Sequence, residues 1–198
     1  MSTVVANMSM SLDGFIEDAD GGVGEVFAWL GAGDTAVPAP GDGREFRVSR
    51  ASADHMTASW AGTGALVCGR RLFDLTRGWG GRHPVGCPVF VVTHGAPEDW
   101  AHPEAPFTFV TDGVASAVAQ ASAVSGGRTV AVASADVARQ CLDLGLLDAI
   151  EVDLVPVVLG SGTPWLAGVQ RAVRLSSPRV VEGGAVTHLR YDVLRDAS

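Results

Sequence analysis

Hydrophobic residues occur along the chain in short runs that are separated by glycine, proline and charged positions. Residues 3–10 form the first run, and their apolar, β-prone character predicts a buried strand. Later runs alternate with segments in which apolar residues recur every three or four positions, which predicts helices between parallel strands. The predicted strands cover 64–69, 88–94, 107–111 and 128–134, and the predicted helices cover 44–62, segments that start at 70 and 114, and 135–145.

The C-terminal part of the chain shows a different pattern, in which apolar and polar positions alternate. In AIEVDLVPVVLG, Ile150 and Val152 alternate with Glu151 and Asp153, so one face of this strand is expected to contact water. The segment GGAVTHLRYDVL alternates in the same way and is expected to pair with a strand within residues 171–182. The end of the chain is therefore predicted to form antiparallel strands.

Together these patterns predict one α/β domain over residues 1–198, with a mixed, mostly parallel central sheet, flanking helices and an antiparallel C-terminal strand pair. Residues 11–43 are the exception, because they are rich in glycine, aspartate, alanine and proline. Only EVFAWLG within them predicts a helical turn. Long loops in compact domains are usually functional, so we expect this segment to shape a binding site.

Composition limits the classes of partner. The 198 residues include 22 acidic and 14 basic side chains, which gives a formal net charge of −8. Nucleic acids and anionic membrane surfaces are bound by basic surfaces, so neither is an expected partner. The sequence shows no signal peptide and no run long enough to span a membrane. We therefore expect a cytoplasmic protein in which Cys68, Cys87 and Cys141 are reduced.

Several common functional motifs are absent from the sequence. It has no G-x-x-x-x-G-K-[ST] phosphate loop, no G-x-G-x-x-G turn after the first strand and no G-x-S-x-G nucleophile turn. The histidines form neither an H-x-x-x-H nor an H-E-x-x-H pattern, so no metal site is predicted. The chemistry must therefore come from another arrangement of side chains.

The segment VCGRRLF places two arginines directly after a predicted strand. Arg70 and Arg71 follow Gly69 where a helix begins, and backbone N–H groups at such a position favour an anion. Guanidinium groups match phosphate oxygens bidentately. Thr93 and His94 end the next strand and would lie beside Arg70 in a parallel sheet. The segment indicates a phosphate site, and solvated surface arginines are the alternative interpretation.

Two further turns carry candidate residues. In SLDGFIED, Asp13 follows a strand and is either an ordinary turn residue or part of a loop across a substrate pocket. After RTVAVAS, the small residues around Ser134 lead into a helix and could approach a phosphate group, as could the turn at Gly160. Ordinary turn chemistry is the alternative for these positions.

Taken together, the segments SLDGFIED, GRRLFD, PVFVVTH and ARQCLDLGLLDAIEVDLVPVVLGSGTPWL resemble the dihydrofolate reductase-like family. Within that family, the chain resembles the C-terminal reductase domain of the bifunctional riboflavin-biosynthesis deaminase-reductase and stand-alone bacterial proteins of the same type. The resemblance extends from residue 4 to about residue 193. No H-x-E…P-C-x-x-C pattern of a zinc deaminase accompanies it.

The resemblance implies an NADPH-dependent reductase that transfers a hydride to a small heterocyclic substrate, such as a pteridine or pyrimidine of folate or riboflavin metabolism. It implies that the substrate lies between the loop of Asp13 and the helix that starts near Glu45. Both carboxylates are then candidates to bind substrate or to relay a proton. The cofactor-binding residues that it implies are Gly69, Arg70, Arg71, Leu72, Thr93, His94, Ala133, Ser134, Asp136, Val137 and Gly160.

The chain departs from the family pattern at three places. Leu72 stands where the family commonly has threonine, residues 133–135 replace a Gly-Gly turn, and Ala149 replaces an acidic residue. The first two changes affect expected phosphate contacts. A catalytically silent ligand-binding relative with a regulatory or assembly role is therefore the alternative function, and a structural subunit that binds no nucleotide is a third.

The C-terminal strands are relevant to oligomerisation, because a sheet that ends in such strands has an open edge. Trp165 lies in a loop rich in glycine and proline that is expected to be exposed. Relatives in the family that the chain resembles often pair as homodimers through this part of the sheet. We therefore predict a homodimer with Trp165 at or near the contact.

Overall fold

A computed structural model describes residues 2–195, and its central feature is a nine-stranded sheet accompanied by two short two-stranded sheets. The strands are β1 Val4–Ser11, β2 Phe15–Glu17, β3 Thr35–Pro38, β4 Glu45–Val48, β5 Thr63–Gly69, β6 Val89–Val92, β7 Phe107–Val110, β8 Thr129–Ala133, β9 Ala149–Val155, β10 Thr163–Pro164, β11 Arg174–Leu175, β12 Arg179–Glu182 and β13 Thr187–Leu194. The helices are α1 Gly24–Phe27, α2 Arg50–Gly62, α3 Arg70–Leu75, α4 Val114–Val124 and α5 Ala135–Asp143, and 3-10 turns cover Ala28–Gly31 and Arg77–Gly81.

The strand order confirms the predicted mixed, mostly parallel sheet. The strands lie in the order β11, β13, β9, β1, β8, β5, β6 and β7, and β12 also pairs with β13. The pairs from β9 through β7 are parallel, whereas β13 is antiparallel to β9, β11 and β12. The parallel strands therefore end at one edge of the sheet, where ligands commonly bind in α/β proteins.

One face of the sheet is apolar and packs against α4 and α5. Side chains from four neighbouring strands form it together with residues at helical spacing on α4 and α5. Burial of these aliphatic groups is the main source of stability on this side of the molecule. The buried strand residues on this face are Val4, Ala6, Ala65, Val67, Val130, Val132, Ile150 and Val152.

A second hydrophobic cluster lies on the opposite side, at the β9–β13 end of the sheet. It joins Trp29, Val48 and Met56 to Val155 and Val186. Helix α2, which carries Met56, begins after Ser49, whose hydroxyl accepts a hydrogen bond from the backbone N–H of Ser52 at 3.2 Å. This side-chain cap satisfies one of the free N–H groups at the start of the helix.

The segment between β1 and α2 contains more structure than its composition predicts. The helical turn expected in EVFAWLG is confirmed by α1 and the 3-10 turn that follows, but β2 and β3 also form there. The predicted helix over 44–62 is wrong in its first turn, because Glu45–Val48 pairs with β3 as strand β4 and the helix begins at Arg50. Phe46 and Val48 alternate with exposed residues at a period of two, which the helical period of the following residues obscures.

The prediction that Trp165 is exposed is wrong. Its side chain is 6% exposed and belongs to the main apolar core. The Trp165 backbone N–H donates to the Gly14 carbonyl at 2.9 Å, which holds this loop against the turn after β1. Trp165 is therefore unsuited to anchor a dimer contact, while the dimer itself stays a prediction. Within residues 2–195, no helix is both long enough and apolar enough to span a bilayer.

Candidate functional site

A cleft of about 1500 Å³ crosses the face of the sheet opposite α4 and α5. Its floor is made of alternate residues of β1, β8 and β9, including Asn7, Ala131 and Glu151. Helix α2 and the aromatic rings of Trp29 and Trp79 contribute to its walls. Single small-molecule pockets usually have volumes of about 300–1000 Å³. The cleft therefore has room for two ligands, or for one long ligand.

Two arginines project from the start of α3 at one end of the cleft. Arg70 Nε lies 2.8 Å from Asp74 Oδ1, and Arg70 Nη1 donates to the Gly95 carbonyl at 3.0 Å. Arg71 Nη2 lies 2.6 Å from Glu17 Oε1, so this ion pair joins α3 to β2. The side chains of Arg70 and Arg71 are 39% and 64% exposed, so both have donors that a ligand in the cleft could use.

Thr93 and His94 lie beside this arginine end, as the parallel arrangement of β5 and β6 predicts. The Thr93 hydroxyl donates to the Gly95 carbonyl at 2.8 Å, the same carbonyl that Arg70 contacts. Gly69 and Leu72 also line this part of the cleft. The structure thus brings the residues of the arginine segment together with the end of the next strand.

Ser134 joins the ends of two parallel strands. Its hydroxyl oxygen accepts a hydrogen bond from the Gly69 backbone N–H at 3.0 Å, which ties the end of β8 to the end of β5. Its φ angle is +125°, a conformation that residues with a side chain rarely adopt. Such a backbone costs on the order of 1–3 kcal/mol. Ala133 and Val137 line the cleft next to it.

Asp136 places a negative charge in the first turn of α5, also at the cleft. Arg139 Nη2 lies 2.5 Å from Asp136 Oδ1, and the Gln140 amide donates to Oδ2 at 2.7 Å. The hydrogen bond from Arg139, reinforced by that from Gln140, lowers the pKa of Asp136. The carboxylate is thus ionised at neutral pH and neutralised locally by Arg139.

The other end of the cleft floor contains two rows of polar side chains. The pairing register places one residue each from β1, β9 and β13 side by side in both rows. Neighbours on one face of a sheet lie about 4.5–5.5 Å apart, so side chains within a row can bond directly. The rows are Ser9–Asp153–His188 and Asn7–Glu151–Arg190.

In the first row, His188 is 2% exposed and is held at both ring nitrogens. Its Nδ1 lies 2.7 Å from Asp153 Oδ1, and its Nε2 lies 2.9 Å from Ser52 Oγ. The Ser49 hydroxyl donates to Ser52 Oγ at 3.2 Å, so the Ser52 hydrogen is available to His188 Nε2. The Nδ1–H group of His188 then donates to Asp153 Oδ1. This network fixes the position of the Asp153 carboxylate.

The order serine, histidine, carboxylate is also that of a hydrolase triad, but here the serine is inaccessible. Ser52 is 0% exposed and does not line the cleft. The backbone at Gly183 packs over it so closely that a Cβ there would lie 2.2 Å from Ser52 Oγ. Asp153 lines the cleft instead. The network therefore presents a carboxylate and does not activate a nucleophile.

Aromatic groups surround the first row. The His55 ring stacks on the His188 ring with a centroid distance of 4.3 Å, and Trp29 Nε1 donates to Ser9 Oγ at 3.1 Å. Burial, together with the nearby His188 ring, lowers the pKa of His55, so His55 is neutral at pH 7. His55, Asp153 and His188 lie close enough to hold a metal ion. Both nitrogens of His188 already have partners, so a metal would have to displace this network.

His83 and Cys87 also line the cleft, and both are uncharged at neutral pH. Burial lowers the pKa of His83 to about 4, and its Nδ1 accepts a hydrogen bond from the Val85 N–H at 3.2 Å. Burial raises the pKa of Cys87 to about 11, so its thiol is protonated at neutral pH. The Cys87 thiol is therefore not a nucleophile at pH 7.

Three of the predicted site residues, Asp13, Glu45 and Gly160, do not line the cleft. The Asp13 carboxylate accepts hydrogen bonds from the Ser11 hydroxyl at 2.7 Å and from the Leu159 and Gly160 N–H groups at 3.1 and 2.7 Å. The bond from Ser11, followed by those from the two backbone groups, lowers the pKa of Asp13. Asp13 therefore ties the turn after β1 to the loop after β9.

Glu45 lies on β4 and is exposed, with Arg47 Nη1 at 3.6 Å from its carboxylate. The structure thus brings neither Glu45 nor Asp13 into the cleft. Among residues 2–195, the carboxylates that line the cleft are Glu17, Asp136, Glu151 and Asp153.

The polar rows are the part of the site that sequence reasoning misses. Glu151 and Asp153 are visible as polar alternates in a strand, but alternation alone does not distinguish a cleft from open solvent. The available signal is that the polar alternates of the last strand, His188 and Arg190, have the basic character that complements two acids. The antiparallel register then pairs His188 with Asp153 and Arg190 with Glu151.

Comparison with known proteins now identifies the family. The family model described as the RibD C-terminal domain matches residues 2–189. The chain belongs to the RibD C-terminal domain family. A search of curated proteins found no match by sequence.

Several proteins of known structure share the fold of this chain. A candidate riboflavin biosynthesis protein from Shewanella sp. PV-4 is 20% identical, with a TM-score of 0.73 over 98% of this chain and 99% of that one. A pyrimidine reductase-like protein from Corynebacterium diphtheriae is 12% identical, with a TM-score of 0.60 and coverages of 98% and 93%. The chain is thus similar along its length to proteins of about its own size.

The third relative is larger. It is a diaminohydroxyphosphoribosylaminopyrimidine deaminase/5-amino-6-(5-phosphoribosylamino)uracil reductase from Thermotoga maritima, 13% identical with a TM-score of 0.64. The match covers 98% of this chain and 57% of that protein, so the chain spans a little over half of its length. At these identities the three likenesses establish the fold, and they confirm the dihydrofolate reductase-like sheet that the sequence predicts.

Proposed function

We propose that this protein is an NADPH-dependent reductase that transfers a hydride to a small nitrogen heterocycle. The observation that carries the proposal is one continuous cleft with two arginines at one end and a polar floor containing carboxylates at the other. Membership in the RibD C-terminal domain family supports it. So do the names of the relatives from T. maritima and C. diphtheriae, which describe a uracil reductase and a pyrimidine reductase-like protein.

The donors at the arginine end fit an anionic dinucleotide. Arg70 and Arg71 expose guanidinium groups, and the Thr93 hydroxyl and the His94 ring line the same end. Arginine binds phosphate oxygens through two parallel hydrogen bonds. The 2′-phosphate of NADPH adds negative charge that NADH lacks, so a pair of arginines favours NADPH. Of the eleven residues predicted to bind the cofactor, only Gly160 lies outside the cleft lining.

NADPH, when bound, supplies the hydride. The residues of this chain provide binding, orientation and a desolvated cavity. Arg70 and Arg71 would hold the phosphate groups, while the floor around Asn7 and Glu151 would orient the substrate. The rings of Trp29 and Trp79 in the walls would limit the access of water. These contributions require no nucleophile, which agrees with the protonated Cys87 and the inaccessible Ser52.

The proposal is tested by titrating the protein with NADPH and NADH while tryptophan fluorescence is recorded. We expect Arg70→Ala and Arg71→Ala each to weaken NADPH binding by about 10- to 100-fold, because each removes a charge-assisted hydrogen bond worth roughly 1.5–3 kcal/mol. NADH binding should change much less. The matched control is Arg179→Ala, because Arg179 pairs with Asp192 outside the cleft at 3.2 Å.

If the arginine variants lose as much affinity for NADH as for NADPH, Arg70 and Arg71 do not bind the 2′-phosphate. NADPH binding without oxidation by any tested pteridine or pyrimidine would favour the ligand-binding relative that does not catalyse a reaction. If the wild-type protein binds neither cofactor, the third alternative is favoured, which is a structural subunit that binds no nucleotide.

We also propose that the protein forms a homodimer through the C-terminal edge of the sheet. Three apolar side chains are exposed on β11, β12 and β13: Leu175 at 37%, Val180 at 53% and Leu194 at 50%. Light scattering should give twice the chain mass of 20.4 kDa, and Val180→Glu should shift the protein toward monomer. A wild-type mass of one chain would contradict the dimer.

A further inference from the structure

We propose that a second cavity, next to the cleft, binds a small organic carboxylate with a hydrophobic body. The cavity lies between β3, α2, residues 85–88 and Arg128, and its volume is about 580 Å³. Single small-molecule sites usually have volumes of about 300–1000 Å³. The proposal goes beyond the reductase function and does not depend on it. The position of the cavity, its charge and its walls each support the proposal.

The second cavity lies at the edge of the sheet opposite to the arginine end of the cleft. Thr63 is the first residue of β5, Pro88 directly precedes β6, and Arg128 directly precedes β8. Because these strands are parallel, their first residues lie together at one edge. Helix α2 and strand β3 contribute the remaining walls. A ligand in this cavity would therefore be distinct from a dinucleotide held at the ends of the same strands.

The second cavity and the cleft have part of their lining in common. The shared residues are Trp60, Thr63, Val85 and Cys87. A ligand in the second cavity would thus contact the wall of the cleft without occupying its floor.

The charged group that selects the ligand is Arg128. Its Nε donates to the Ser125 carbonyl at 3.3 Å, and its Nη1 donates to the Thr63 carbonyl at 3.1 Å. Two backbone carbonyls therefore hold the guanidinium group in place, and within residues 2–195 no carboxylate forms an ion pair with it. The remaining N–H groups, on Nη1 and Nη2, match the two oxygens of a carboxylate.

The other charged side chains of the cavity do not cancel the charge of Arg128. Arg50 Nε donates to both oxygens of Asp54, at 3.0 and 3.1 Å, so these two residues neutralise each other. Arg128 then leaves the lining positively charged in a protein with a net charge of −8. This local charge favours an anionic ligand over a neutral or a cationic one.

The Cys87 thiol supports this placement of the charge. Burial raises the pKa of Cys87 to about 11, and a backbone hydrogen bond and the charge of Arg128 oppose this rise. Cys87 lines the second cavity and is buried. The guanidinium charge therefore acts on the interior of the cavity as well as on the solvent.

Much of the remaining lining is apolar. Val37 and Ala53 are each 5% exposed, and the ring of Trp60 forms part of the wall. Three prolines also line the cavity: Pro38, Pro40 and Pro88. Flat, apolar surfaces beside one guanidinium group suit a ring or a short aliphatic chain that ends in a carboxylate.

The test uses the whole protein without cofactor and three probes: benzoate, benzamide and inorganic phosphate. Benzoate and benzamide have the same shape but only benzoate is charged, whereas phosphate has charge without an apolar body. Binding is measured by shifts in the NMR spectrum of isotope-labelled protein, followed at Thr57 and Ala61 for the second cavity and at Arg70 and Thr93 for the cleft. We expect benzoate to shift the signals of Thr57 and Ala61, and to bind at least about tenfold more tightly than benzamide or phosphate.

The first variant removes the positive charge. Arg128→Gln should weaken benzoate binding by about tenfold or more, because it removes the charge-assisted hydrogen bonds. Arg82→Gln is the matched control, since Arg82 is exposed and lines neither the second cavity nor the cleft. Circular dichroism shows whether each variant has folded.

The second variant decides the question even if Arg128→Gln does not fold. Ala61→Glu adds a negative charge at an exposed position of the lining and removes no side-chain hydrogen bond, so it should also weaken benzoate binding by about tenfold. Ala51→Glu makes the same change at an exposed position of α2 that lines neither space. This control should bind benzoate as the wild-type protein does.

The proposal is overturned if benzoate does not bind, if it binds no more tightly than benzamide, or if its shifts lie at Arg70 and Thr93 instead. It is also overturned if Ala61→Glu and Ala51→Glu bind benzoate equally well. Phosphate binding as tight as that of benzoate would indicate a site for inorganic anions and contradict the organic carboxylate. None of these outcomes depends on the reductase function, because the experiment requires no NADPH.

Discussion

The two faces of the central sheet are built from alternate residues of the same strands, yet they differ in almost every physical property. Ala6 and Ile150 point to an apolar layer covered by α4 and α5, while their neighbours Asn7 and Glu151 point into the cleft. The first face is filled by aliphatic side chains. The second face is packed at its two ends, by Trp29 and Met56 at one and by Phe73 and Trp79 at the other, but has small and polar side chains between them that leave space above the sheet. Packing is therefore continuous on the first face and is interrupted by the cleft on the second.

The largest expected difference between the faces is in the free energy of unfolding. Ile150→Ala should lower it by about 2–5 kcal/mol, because Ile150 is 3% exposed and its removal leaves a cavity against the helices. Glu151→Gln, one residue along the chain, should lower it by less than about 1.5 kcal/mol, because the amide retains an acceptor for Arg190. Urea denaturation of both variants measures the contrast. Equal losses would mean that the cleft face is as important for stability as the apolar face.

Much of this arrangement follows from the sequence. The apolar runs that become β1, β5, β6 and β8 are buried by helices whose period is equally clear, so local pattern and tertiary packing agree. The arginine end of the cleft is predictable for the same reason. Arg70 and Thr93 follow consecutive parallel strands, whose ends must be neighbours.

The end of the cleft that contains the two polar rows is harder to predict, because it depends on long-range register. Glu151 and Asp153 alternate with buried residues whether they face water or a cleft, and only the position of α2 above them decides which. Asp13 is the opposite case, because its sequence context suggests a ligand-binding residue and the structure shows a residue that holds two loops together. An aspartate after a strand is suited to bind a ligand, but its oxygens bond to the backbone at Leu159 and Gly160, which lie far away in sequence.

The next largest effect concerns the response of the cleft face to acid. Burial lowers the pKa of His83 to about 4 from 6.5, so the folded state favours the neutral ring. The contribution of His83 to stability is complete above about pH 6.5 and is lost as the pH falls from there to about 4. The loss should be about 2–3 kcal/mol, reduced from the full linkage value because the ring is partly exposed.

His83→Asn should reduce this loss, since asparagine does not titrate and its oxygen can accept the hydrogen bond from Val85. The measurement is the unfolding free energy of both proteins at several pH values between 7 and 4. If the wild-type protein and the variant lose the same unfolding free energy between pH 7 and 4, His83 does not cause the pH dependence. The acid response of the cleft face then has another cause.

A smaller effect is expected at Ser134, which follows β8 and lines the cleft. Ser134→Gly relieves the positive φ angle but loses the hydrogen bond to the Gly69 N–H. Ser134→Ala loses the bond without relieving the strain. The glycine variant should therefore be more stable than the alanine variant by about 1–2 kcal/mol, measured by urea denaturation. Glycine should also tighten NADPH binding, because it frees the Gly69 N–H, and weaker binding would show that Ser134 is itself needed there.

The central claim is that the cleft is a binding site that holds phosphate groups at its arginine end and no phosphate beside Glu151 and Asp153. A crystal structure of the protein with NADPH tests it most directly. The account predicts density for the phosphate groups within hydrogen-bonding distance of Arg70 or Arg71, with the region beside Glu151 and Asp153 left free of phosphate. Phosphate density beside those carboxylates, or NADPH bound outside the cleft, would contradict it.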